Sequence, residues 1–190
     1  MEKNIVIFAS GSGTNAENII RYFKENDSVR VALVLSNKCE AMVLERARRL
    51  GVPSATFPKE DWQTGESILA LLKEYQADFI VLAGFLLRVP ETLLHAYPNK
   101  IINIHPALLP KHGGKGMYGD RVHKEVVEAG EKESGITIHY INERYDEGSI
   151  IFQATCPVLP DDSYEEVAQK VHALEYQHFP SVIEEVVRGR

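Results

Sequence analysis

The segment Ile5-Val6-Ile7-Phe8-Ala9-Ser10-Gly11-Ser12-Gly13-Thr14-Asn15 sets the architecture. A short unbroken apolar run buries both faces of a strand, as happens in a parallel sheet covered by helices. Glycines then turn the chain tightly, and residues 14–25 follow with the apolar spacing of a helix. The same alternation recurs along the chain: Val29 to Leu35 then 40–51, Ser54 to Phe57 then 64–75, Phe79 to Ala83 then 90–96, and finally Lys100 to Ile104. Pro106 and Pro110 bracket the segment beyond, so that strand is expected to stop at His105, at a sheet edge where ligand crevices form in open α/β sheets.

After Pro110 the pattern changes. A glycine-rich loop and a helical stretch near 118–129 precede two β-rich runs, Gly135 to Asn142 and Ser149 to Val158, joined by the polar connection Glu143 to Gly148. These favour an antiparallel pair extending the sheet. Ser163 as N-cap with Glu166 three residues on forms a capping box for a helix running to about 188. The expected fold is therefore α/β: one domain over residues 1–190, a doubly wound, Rossmann-like, mostly parallel sheet with an antiparallel C-terminal strand pair and a long C-terminal helix.

The formal charge of −6, with lysines dispersed among 27 acidic side chains, gives no basic face for nucleic acid, so the expected partner is a small molecule. No apolar run approaches the length of a membrane span, and the N-terminus carries no signal-peptide pattern, which points to the cytoplasm. Cys39 and Cys156 lie far apart without metal-type spacing and read as two buried free thiols.

Three motifs carry chemistry. In a strand, residues two apart share a face, so Asn103 and His105 at the end of Ile101-Ile102-Asn103-Ile104-His105 can aim donors at one substrate atom; the other reading is a structural histidine beside an unrelated amide. The Ser10–Asn15 loop at a helix start suits a monophosphate: Ala16 replaces the third glycine of a dinucleotide fingerprint, and Ser36-Asn37-Lys38 lacks the ribose-binding acid. The other reading is a plain turn with Thr14 or Asn15 capping. Asp146 precedes a turn glycine and reads as turn chemistry, unless it meets His105, where a carboxylate would favour the imidazolium form. His139 either points into that site or is a half-buried structural residue. His112-Gly113-Gly114-Lys115-Gly116 resembles an anion cradle but reads rather as a flexible surface excursion, and His95, His123, His172 and His178 as no metal ligands.

Ser10-Gly11-Ser12-Gly13-Thr14-Asn15, Ser36-Asn37-Lys38, Leu82-Ala83-Gly84-Phe85, Asn103-Ile104-His105-Pro106-Ala107-Leu108-Leu109-Pro110 and Asp146-Glu147-Gly148 together resemble the phosphoribosylglycinamide formyltransferase family of the formyltransferase superfamily, over essentially the whole chain. The resemblance implies transfer of formyl from 10-formyltetrahydrofolate to the amine of 5-phosphoribosylglycinamide in purine biosynthesis, with no metal. It implies Asn103, His105 and Asp146 as catalytic residues; Gly13, Thr14, Asn15 and Glu175 as contacts to the glycinamide ribonucleotide; and Leu86, Leu87, Arg88, Val89, Asn103, Asn142, Glu143, Arg144, Tyr145 and Asp146 as the folate site. Residues 1–105 become a phosphate-binding half and 106–190 a folate half, in a monomer or homodimer acting on small molecules without nucleic acid or membrane. Three departures stand out: the pocket segment places its arginine one position along, at Arg88; the cation that relatives offer near the folate glutamate tail has no clear match around Thr64; and the Lys111 to Arg121 loop is longer than in many relatives.

The same trio serves formyltetrahydrofolate hydrolase, the main alternative, which usually carries an added N-terminal regulatory domain. Methionyl-tRNA formyltransferase normally adds a C-terminal domain and a basic surface. A non-catalytic nucleotide-binding module would leave Asn103, His105 and Asp146 as coincidence.

Overall fold

The computed structural model describes residues 2–144 and 146–189. In chain order the elements are β1 (Lys3–Phe8), α1 (Thr14–Phe23), β2 (Val29–Ser36), α2 (Met42–Arg49), β3 (Ser54–Thr56), α3 (Lys59–Thr64), α4 (Glu66–Glu74), β4 (Phe79–Leu82), α5 (Glu91–Ala96), β5 (Ile101–His105), α6 (Asp120–Glu128), β6 (Glu133–Tyr140), β7 (Ile150–Pro157) and α7 (Tyr164–Arg188). The strands hydrogen-bond in the order β3-β2-β1-β4-β5-β6-β7. The chain divides within β5 into two compact units, Met1–Ile102 with Pro180–Arg190, and Asn103–Phe179.

In the first unit β1 pairs in parallel with β2 and β4, and β2 with β3. Ile5, Val6, Ile7 and Phe8 are all buried, as the unbroken apolar run requires. Helix α1 turns Ala16, Ile19, Ile20 and Phe23 inward, one stripe at helical spacing. Gly13 ends the preceding loop at φ 75, and a Cβ there would lie 2.5 Å from that of Val43, so only glycine lets α2 approach this closely. Trp62 of α3 stacks on Phe57, with ring centroids 5.2 Å apart, packs against Phe8 and Phe85, and donates Nε1–H to the carbonyl of Arg88 at 2.8 Å. The helix read over 64–75 is α4, and a further short helix not read from the sequence, α3, precedes it, with Gly65 at φ 72 between the two.

In the second unit β6 and β7 form the antiparallel pair. Gly135 is obligatory in it, since a Cβ would meet the Ala154 carbonyl oxygen at 1.9 Å. Thr137 Oγ1 donates to the carbonyl of Ala107 at 2.7 Å and accepts from the amide of Leu109 and from Gln153 Nε2, each at 3.0 Å, pinning the chain just after β5. Helix α7 opens with the expected capping box: Glu166 N–H donates to Ser163 Oγ at 3.2 Å, and Ser163 N–H to Glu166 Oε2 at 2.7 Å. Of the two thiols, only Cys156 is buried; Cys39 is exposed on the loop after β2, a correction to the expected pair of buried thiols. No helix among the described residues is long and apolar enough to cross a membrane.

Candidate active site

In the first unit the Ser10–Asn15 loop joins β1 to α1 with Gly13 itself at the N-cap and no side-chain cap, so neither Thr14 nor Asn15 serves as one. Ser10 ties three of the singled-out segments together: its Oγ donates to Asn37 Oδ1 at 2.7 Å and accepts from the amide of Leu86 at 3.0 Å. Arg46 reaches the loop from α2, donating Nε–H to the Ser12 carbonyl at 2.7 Å and pairing with Glu17. That pairing, with Arg21, holds the Glu17 carboxyl below its ordinary range. Leu86, Leu87, Arg88 and Val89 follow in the segment to which Trp62 is bonded.

In the second unit Asn103, His105 and Asp146 converge, which spacing alone did not establish. Asp146 lies on the β6–β7 connection at φ 54, a left-handed conformation that aspartate tolerates better than most residues. Its Oδ2 is 3.7 Å from His105 Nδ1, and its Oδ1 3.7 Å from His139 Nε2: ion-pair range, outside hydrogen-bond range. The same Oδ2 accepts the amide of Gly114 at 2.9 Å. His105, 3 % exposed, donates Nε2–H to the carbonyl of His112 at 2.8 Å.

His139, which the sequence left open, is fully buried in β6 and belongs to this cluster. Burial pushes its basicity down, only partly opposed by the bond from Nδ1 to the Tyr140 carbonyl at 3.0 Å. With the proton on Nδ1, Nε2 accepts, and Asn103 Nδ2 donates to it at 3.0 Å. One amide hydrogen of Asn103 is thereby spoken for, which fixes the plane in which the other points.

The loop read as a surface excursion is part of the site's frame, because His112 and Gly114 give it a carbonyl and an amide. Glu175 lies on α7, 4 % exposed, accepting from His172 Nδ1 at 3.0 Å; this bond raises the basicity of His172 against its desolvation. Asn142, Glu143 and Arg144 stand on the exposed connection before Asp146, with Asn142 Oδ1 accepting the Arg144 amide at 2.8 Å. Tyr145 lies outside the described residues. Thr137 and His139, two apart and facing alike on β6, are the strand signal that a sequence reading could have used.

An amide, an imidazole and a carboxylate around one point, without a nucleophilic serine or cysteine among them, suit charge stabilisation and proton transfer. The family description "Formyl transferase" matches residues 3–183. A curated relative, phosphoribosylglycinamide formyltransferase, chloroplastic, of Arabidopsis thaliana, is 38 % identical over 99 % of this chain, which spans 66 % of that protein's length. Phosphoribosylglycinamide formyltransferase of Bacillus subtilis is 37 % identical over 97 % of this chain and 95 % of its own. The crystal structure of glycinamide ribonucleotide transformylase 1 from Symbiobacterium toebii superposes with a TM-score of 0.90 at 34 % identity, covering 100 % of this chain and 89 % of that one. The chain belongs to the formyl transferase family and shares its α/β fold.

Proposed function

We propose that this enzyme transfers the formyl group of 10-formyltetrahydrofolate to the primary amine of 5-phosphoribosylglycinamide, in de novo purine biosynthesis. One observation carries the reading: Asn103, His105 and Asp146 converge with His139 in a chain whose near-full-length Bacillus relative bears that reaction's name. The amine nitrogen attacks the formyl carbon, and the carbonyl oxygen takes up negative charge. The uncommitted Asn103 amide hydrogen and protonated His105 neutralise that charge. The C–N bond to the folate nitrogen then breaks as that nitrogen receives a proton from His105, and the amine gives up one to solvent, from which His105 is reprotonated; Asp146 faces His105 with a negative charge throughout. The donor is a substrate consumed at each turnover, and no metal is required.

Gly13, Thr14 and Asn15 bind the phosphate, and Glu175 the glycinamide ribonucleotide. Leu86, Leu87, Arg88 and Val89 line the pterin site, and Asn142, Glu143, Arg144, Tyr145 and Asp146 close over the folate. Residues 1–190 act as one formyltransferase domain, as a monomer or homodimer in the cytoplasm, on small molecules alone. Incubation with 10-formyltetrahydrofolate, with and without 5-phosphoribosylglycinamide, tests this. Tetrahydrofolate is expected only when the amine is present; release without it would make the enzyme a hydrolase.

A further inference from the structure

His112 lies on the loop between β5 and α6 at φ 54, a conformation that residues bearing a Cβ seldom adopt. Its ring is held on both sides. Nδ1 is 3.0 Å from Glu125 Oε1 on α6, and Nε2 is 3.0 Å from Glu131 Oε1 just beyond that helix. Carboxylates only accept, so a ring nitrogen that carries a proton donates to the carboxylate beside it, and the ring is braced between two acidic side chains. Lys111 Nζ, 3.2 Å from Glu131 Oε2, adds to this, and with His112 it holds the Glu131 carboxyl below its ordinary range.

The backbone of this braced residue turns toward the site. The His112 carbonyl accepts from His105 Nε2 at 2.8 Å, and two residues on, the Gly114 amide donates to Asp146 Oδ2 at 2.9 Å. Between them Gly113 packs closely on Leu109, since a Cβ there would lie 2.4 Å from Leu109 Cδ2. A backbone carbonyl can only accept. That bond favours the proton on Nε2 of His105 and leaves Nδ1, 3.7 Å from Asp146 Oδ2, as the nitrogen facing the carboxylate.

We propose that His112 is a positioning residue: by bridging Glu125 and Glu131 it sets the carbonyl that fixes His105 as the Nε2–H tautomer and leaves Nδ1 as the atom that moves protons. This rests on the formyl-transfer reading given above. The test compares His112→Gly, which accepts the left-handed backbone but loses the brace, with Glu125→Ala/Glu131→Ala, which removes the brace while keeping His112, and with His112→Arg, which can still donate to both carboxylates. Formyl-transfer kinetics are measured beside 15N NMR of the histidine rings, with His105 assigned through its loss in His105→Gln.

The two brace-breaking variants are expected to lower kcat about ten- to hundredfold, with KM for either substrate within about threefold, and to turn neutral His105 from Nε2–H into a tautomer mixture; His112→Arg recovers most of both. Parental kcat in both brace-breaking variants, or a fall in kcat with the His105 tautomer unchanged, overturns the proposal. If the parent protein transfers no formyl group, the functional reading fails, while the NMR comparison still decides the role of His112.

Discussion

Asp146 touches neither neighbouring imidazole at hydrogen-bond distance, yet its carboxylate faces both at 3.7 Å. Its role in the proposed reaction is therefore one of charge, and Asp146→Asn separates charge from shape. The asparagine can keep the Gly114 contact and tolerates φ 54, so the fold should persist. The expected result is a fall in kcat of about 100-fold or more with KM changed by less than about threefold. Steady-state kinetics check this, and a kcat near that of the parent would remove Asp146 from the mechanism. At this scale the sequence was legible where chemistry is local: the period of two in β5 put Asn103 and His105 on one face. It misplaced His112 and Gly114 on a surface excursion, because they act through backbone groups that no side-chain pattern records. Cys39 was misplaced because cysteine is commonly buried, whereas here it sits on an exposed loop.

Among the elements, the β6–β7 pair holds most of the site's frame: His139 on one strand, Thr137 anchoring the exit of β5, and Asp146 on the connection. Its weak point is Gly135, where a methyl group would press on the Ala154 carbonyl oxygen at 1.9 Å and on Leu108 Cδ2 at 2.8 Å. Neither neighbour yields easily, since one is ladder backbone. Gly135→Ala is expected to destabilise by about 3 kcal/mol or more, read as a lowered urea midpoint, with a change under about 0.5 kcal/mol excluding the close contact. Strands and helices themselves were readable from apolar runs and caps, including the Ser163–Glu166 box. Helix α3 was not, because its six residues, Lys59 to Thr64, are too few to show a helical apolar period.

For the whole molecule, buried histidines set the response to acid. Burial pushes His139 below its ordinary 6.5, and burial and then His172 do the same for His123, whose Nδ1 finds no hydrogen-bond partner. An unfolded chain takes up these protons first, so stability from both is full above about pH 6.5 and declines as pH falls below it, by at most about 1.4 kcal/mol per pH unit for each. His172, raised by Glu175, works in the opposite sense, its contribution being lost as pH rises through its folded value. Urea midpoints should therefore be lower at pH 5.5 than at pH 7.5. His123→Leu should shrink that difference, and an undiminished difference would show that His123 does not titrate with unfolding.

The placement of Trp62 has a practical use. It is the chain's single tryptophan, 6 % exposed, stacked on Phe57 and hydrogen-bonded to the carbonyl of Arg88. Its fluorescence therefore arises from one position and reports on one peptide group. A ligand that shifts the segment around Arg88 alters the polarity at that indole, so occupancy there is visible as a change in emission, without a dye.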